Sequence, residues 1–197
     1  MKPECVIEAC LLTCVLALSC NLFDTRDPEN PVQSSANFNP PTDVNTVFDN
    51  MTSSFQDLSS FNYIQSFADS ALAGRGYSFQ PTSQAQSQYG GVFAGWSRQA
   101  EQQYFDNFKT QLQPSTVPSL LLDITDRSET ADSAIIEGTY LLTIPHTKAA
   151  VEQSGEGRFQ FLLLKDSREY WVIWRWVDLA NQPGDFTWSD FKGAFGQ

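Results

Sequence analysis

At 197 residues the chain fits one globular domain with short appendages, and 41% hydrophobic residues with 13% aromatics are enough for a core, while 18% charged residues are too few for a disordered chain. The formal net charge of −11 repels phosphate backbones and anionic headgroups alike, which sets nucleic-acid binding aside. All four cysteines, Cys5, Cys10, Cys14 and Cys20, fall in the first 20 residues, so a domain beyond them has no disulfide, no thiolate metal site and no cysteine nucleophile.

Residues 1–19 carry an uncharged, mostly apolar run from Ala9 to Ser19. As a helix it would cover about 16 Å, roughly half a bilayer core, so it reads as a signal-peptide segment and not as a membrane span. Ala17-Leu18-Ser19-Cys20 resembles the bacterial lipobox, with Ala17 where leucine is usual, which implies a diacylglycerol on Cys20 and a membrane anchor. Two other readings stay open. Ala17-x-Ser19 also fits an ordinary small-residue cleavage site, and the run could be the apolar first helix of a cytosolic protein. Residues 20–41 hold Pro28, Pro31, Pro40 and Pro41 among polar residues, a tether reaching about 25 Å. Asn21 stands where an aspartate would, in some bacteria, retain a lipoprotein at the inner membrane, so an outer-membrane destination is preferred.

The domain spans 42–197. Thr42 or Asp43 caps a first helix whose apolar face is Val44, Val47, Phe48, Met51 and Phe55. A short second helix carries Phe61, Ile64 and Phe67 at intervals of three. Gly74-Arg75-Gly76 ends it, and Tyr77 to Gln80 alternates as a strand. Residues 81–95 are polar and then glycine-rich, ending in Gly90-Gly91-Val92-Phe93-Ala94-Gly95 before Trp96. Ser97 caps a third helix with Ala100, Tyr104, Phe105, Phe108 and Leu112 inward.

Four strands follow. Leu120, Leu122 and Ile124 share a parity in the first, Ala134 to Ile144 in the second, and Phe159, Phe161 and Leu163 in the third. The fourth, Glu169 to Leu179, is apolar on both parities, which predicts a central strand covered on both faces. Thr187 to Phe195 reads as a short aromatic helix. Helices followed by a run of strands predict an α+β fold, with N-terminal helices on one face of an antiparallel sheet.

This order resembles the nuclear transport factor 2-like fold over residues 42–179. Trp176-Val177-Asp178 and Trp188-Ser189 resemble segments of bacterial lipoproteins with such domains. The resemblance implies a curved antiparallel sheet wrapping the helices into a cone whose open end holds an apolar pocket, a fold used by isomerases and dehydratases, by ligand carriers and by dimerisation modules.

An isomerase-like mechanism needs an ionisable group inside the cone. Asp123 and Glu137 fall on the outer parity. Tyr140 and Asp178 fall on the inner one and form the one candidate catalytic pair, although capping a turn suits Asp178 at its strand end. Tyr140, Phe161, Trp174 and Trp176 are the candidate ligand-binding residues, with Trp171 alongside, and at least two of the three tryptophans belong to the core. His146, the sole histidine, reads as a solvated loop residue. No metal site and no cofactor are expected, since neither ligand spacing nor a phosphate-binding loop occurs. The expected partners are a membrane, through the lipid anchor, and a second copy or another envelope protein. The residues thus point to a membrane-anchored envelope lipoprotein whose domain binds or assembles without catalysis. An apolar carrier or an isomerase-like enzyme is the alternative.

Overall fold

The structure is a computed structural model that describes residues 38–197. The signal segment 1–19, Cys20 and the tether up to residue 37 lie outside the described residues. The chain enters the domain along the start of the last strand, where Trp171 N–H donates to Pro41 O at 2.8 Å. Buried Asn50 holds it there, accepting from Asn39 N and donating to Asn39 O.

Helix α1, Val44–Gln56, is capped by Asp43, whose Oδ1 accepts from Thr46 N at 3.1 Å. Its predicted face is buried from Val44 to Phe55. Helix α2, Ser60–Gln65, turns differently from its predicted spacing. Phe61 is 46% exposed and Tyr63 lies inside with Ile64, while Phe67 reaches the core after the helix has ended, in a bridge to Ile173. A six-residue helix is too short for a three-residue interval to define its inner face. Helix α3, Ser70–Ala73, stops at Gly74, whose φ of 68° is left-handed.

Strand β1, Ser78–Gln80, lies parallel to the last strand, with Phe79 opposite Trp176. Within residues 81–95, to which the sequence pattern assigns no element, lies helix α4, Ser83–Phe93, capped by Thr82 and kinked at Tyr89. Only Ala85 and Phe93 of it are buried, so it shows no apolar stripe from which a helix could be recognised. Helix α5, Arg98–Thr110, begins at Ser97 as expected.

The sheet consists of β1, β2 (Ser119–Glu129), β3 (Ser133–Thr143), β4 (Ser154–Lys165) and β5 (Trp171–Leu179), in the order β1-β5-β4-β3-β2. Four strands are antiparallel; β1 makes the sheet mixed, a correction to the all-antiparallel expectation. Strand β5 is next to the edge, and its two-sided apolar pattern has a local cause. Leu162 pairs with Arg175 and Leu163 with Ile173, so Trp174 is an extra residue in a bulge. The bulge reverses the parity. Trp171 and Ile173 face inward before it, Trp176 and Asp178 after it. A second bulge, at Thr125 between Ile124 and Asp126, turns the far half of edge strand β2 out to solvent. Its Asp123, Asp126, Arg127 and Glu129 make that edge unattractive for strand pairing.

Helix α6, Trp188–Phe195, opens with a capping box in which Thr187 and Asp190 bond reciprocally. All eight of its residues are buried.

Candidate functional site

The interior of the cone is a solid aromatic block. Phe55 packs 5.1 Å from Phe105 and 5.7 Å from Phe108, Phe161 lies 4.3 Å from Phe159 and 5.0 Å from Trp176, and Trp176 meets Trp188 edge-on at 4.5 Å. Helix α6 supplies Trp188, Phe191 and Phe195 to this block, each essentially without exposure. The apolar pocket expected at the open end is therefore occupied by the chain itself. Two polar clusters lie beneath α6.

The first joins the predicted pair. Tyr140 on β3 donates its hydroxyl proton to Asp178 Oδ1 on β5 at 2.7 Å. Asp178 Oδ2 also accepts from Ser189 N at 2.7 Å and Ser189 Oγ at 2.5 Å, and Tyr140 Oη accepts from Trp188 N at 2.8 Å. Together they cap the first turn of α6, where a carboxylate is favoured by the free N–H groups and the helix dipole. Burial pushes the Asp178 carboxyl up from its ordinary value, against the pull of Ser189 and Tyr140. Burial and the neighbouring Asp178 hold the Tyr140 phenol well above its ordinary value.

The second cluster has its centre at Glu101, on the inner face of α5. Its carboxylate accepts from Tyr63 Oη at 2.9 Å, Tyr77 Oη at 2.6 Å and Trp96 Nε1 at 2.7 Å, and from Lys192 Nζ of α6. Glu101 and Lys192 are both fully buried. The Lys192 ammonium also lies 3.5 Å from the centre of the Trp176 ring and 3.8 Å from that of Phe79. Burial lowers its pKa to about 8, with Glu101 opposing the shift. A desolvated amine of this kind suits proton transfer or nucleophilic work, but here its surroundings are protein side chains.

Sequence reasoning passed over both residues. The signals existed: Glu101 precedes Tyr104, Phe105 and Phe108 by three, four and seven positions, on the apolar stripe of α5. Lys192 stands four after Trp188 and three before Phe195.

The remaining candidates are dispersed. Trp176 and Phe161 are core, as is Trp171. Trp174 is half-buried on the outer side, with the Arg75 guanidinium 4.6 Å from its ring centre. His146 is not a solvated loop residue: it is 2% exposed, lies edge-on to Phe195 at 5.1 Å, and its Nε2 is 3.0 Å from Glu152 O. An isolated antiparallel β-bridge between Leu112 and His146 ties this backbone to the end of α5. A cleft of about 660 Å³ is lined by Gln80, Thr82 and Gln84 on one side and by Asp178, Leu179 and Asn181 on the other, so the buried Asp178 lies at its edge. Among the described residues no group of three or more His, Cys, Asp or Glu could hold a metal, and no helix is long and apolar enough to cross a membrane.

No family model matches this sequence, and no curated protein matches it. Solved structures do. A nuclear transport factor 2-like superfamily protein from Salmonella enterica serovar Typhimurium aligns with a TM-score of 0.50 and 13% identity, over 70% of this chain and 89% of that one. ActVI-ORFA from Streptomyces coelicolor aligns with a TM-score of 0.50 and 10% identity, over 70% and 94%. A conserved protein from Planctomyces limnophilus aligns with a TM-score of 0.51 and 6% identity, over 68% and 90%. The likeness is one of fold: helices packed against a five-stranded mixed sheet that does not close, the nuclear transport factor 2-like cone.

Proposed function

We propose that this chain is a lipoprotein of the bacterial envelope, anchored through Cys20, whose cone serves as a non-catalytic binding or assembly module. The observation that carries the second half is the complete burial of α6. A catalyst or an apolar carrier of this fold needs a reachable interior, and here Trp188, Phe191 and Phe195 fill it. Tyr140 and Asp178 are spent on the first turn of the same helix. Both alternatives would require α6 to leave.

The outer sheet face supports assembly. Leu121 pairs with Leu141 across β2 and β3, and they are 62% and 40% exposed; Ile135 and Leu179 add further exposed apolar area on that side. A second copy or another envelope protein is the partner that this face suits. The acidic composition leaves nucleic acid unsuited. For the anchor, the support is the order of apolar run, Cys20 and proline-rich tether, and Asn21 favours the outer membrane.

The test is fractionation of the full chain and of Cys20→Ser in a bacterial host. The unaltered chain should enter the detergent phase with an intact mass that begins at a diacylated Cys20, and Cys20→Ser should move to the aqueous fraction. An unmodified start at Met1, or unchanged partitioning, refutes the anchor. Light scattering of Cys20→Ser beside the same chain with Leu121→Asp and Leu141→Asp tests the face. A monomer in both excludes self-assembly.

A further inference from the structure

The anionic seat below α6 is built without α6. Glu101 comes from α5, and its three neutral donors come from α2 (Tyr63), from the residue before β1 (Tyr77) and from the turn before α5 (Trp96). The nearest aromatic walls are Phe79 of β1 and Trp176 of β5. Helix α6 contributes the cation and, farther off at 6.0 Å, the Trp188 ring, on a segment that reaches the seat through the exposed stretch at 181–184.

We propose that this end of the cone is a binding site for a primary alkylammonium group, and that Lys192 fills it as a tethered ligand. The chemistry of each wall selects that class. A buried carboxylate demands a cation, because an unpaired charge there is strongly destabilising. Ring faces 3.5 and 3.8 Å from the nitrogen attract a cation through their quadrupoles, an attraction much weaker for a neutral hydroxyl. The hydrogen bond from Nζ to Glu101 requires an N–H, which a quaternary ammonium lacks. The other ionisable groups that bear on the seat are Asp178 and Tyr104, and Asp178 adds to its preference for a cation. Burial lowers the Lys192 pKa and so works against the cation, whereas Glu101 and Asp178 pull it back up, so these two carboxylates are what favour an ammonium there. This inference holds wherever the chain is anchored, so failure of the Cys20 test leaves it standing.

The experiment uses the full chain with Lys192→Ala, which removes three carbons and the ammonium. Propylammonium restores those atoms. Its addition should raise the unfolding midpoint of Lys192→Ala in proportion to the logarithm of its concentration, and leave the unaltered chain unmoved. The neutral analogue 1-propanol and tetramethylammonium should do neither. If Lys192→Ala is unfolded when isolated, the readout is recovery of helical and tryptophan signals, which should appear with propylammonium and not with 1-propanol. Adding Glu101→Gln to Lys192→Ala should abolish the response. Equal effects of propylammonium and 1-propanol, no effect of propylammonium on Lys192→Ala, or a response that survives Glu101→Gln would each overturn the proposal.

Discussion

Replacing Lys192 with methionine tests the energetic reading of the core most directly. Methionine keeps most of the side-chain length, one atom short, and removes the charge, so Glu101 is left fully buried with only the Tyr63, Tyr77 and Trp96 donors. Breaking one partner of such a pair costs about 3–5 kcal/mol, whereas replacing both is often near neutral. Lys192→Met should therefore be destabilised by that amount at pH 7, and Lys192→Met with Glu101→Gln should return to within about 2 kcal/mol of the unaltered chain. The pH dependence supplies the second readout. Lys192 titrates near 8 when folded against 10.5 ordinarily, so between those values the unfolded chain binds the extra proton. Stability then rises with pH, by up to about 1.4 kcal/mol per unit and by about 2 kcal/mol from pH 8 to pH 10. Below about 8 this contribution is lost. Above 10 the tyrosines reverse the trend, because Tyr63, Tyr77, Tyr104 and Tyr140 all ionise less readily folded than unfolded. Urea unfolding followed by tryptophan fluorescence at pH 7, 8, 9 and 10 measures both effects. An alkaline rise that persists in Lys192→Met, or a double variant no better than the single one, would show that the pair is not what the geometry says.

Four further substitutions, one of them with a second-site partner, separate packing from decoration. Trp176→Ala should lose about 3–5 kcal/mol in thermal or urea unfolding, and Trp174→Ala, half-buried at the bulge, about 1 kcal/mol or less. Gly193→Ala should be destabilised by about 1–3 kcal/mol, because a Cβ there would lie 2.2 Å from the Tyr89 ring, and Tyr89→Ala should restore most of the loss. Asp178→Ala strands the Ser189 donors and the Tyr140 hydroxyl, which predicts a loss of about 2–3 kcal/mol and faster amide exchange at Trp188 and Ser189 than at Phe105; equal exchange at both places would remove Asp178 from its capping role.

The strands were legible because burial on one face imposes a period of two. Ala134 to Leu142 on β3 and Phe159 to Leu163 on β4 alternate without interruption and face inward as read. The caps Asp43 and Ser97 were legible because their side chains satisfy N–H groups that nothing else reaches. Strand β5 answers the expectation in part: it lies between β1 and β4, and Trp171, Val172 and Ile173 are buried on both faces, but beyond the bulge at Trp174 the parity shifts and only Trp176 and Asp178 are buried. Helix α4 was lost because tertiary contacts at Ala85 and Phe93, together with the Thr82 cap, suffice to hold a polar helix. At the site, Tyr140 and Asp178 could be paired from parity alone. Glu101 and Lys192 could not, since a charge on an apolar stripe has meaning only once its partner is known, and their partner lies 91 positions away.

The placement of α6 ties stability to occupancy. The contacts that close the cone, the Asp178 cap, the Lys192 ion pair and the Trp188 indole bond to Tyr104, all belong to a single helix. Any free ammonium must therefore compete with a cation already held at the end of a covalent tether. If closure of α6 is favoured by about 3 kcal/mol, the open form is a fraction of a per cent of the molecules, and the apparent affinity for an external ligand falls by roughly two orders of magnitude. That arithmetic is why the unaltered chain should ignore propylammonium while Lys192→Ala responds, and why a natural occupant would have to arrive on a structure able to replace the helix as well as its lysine.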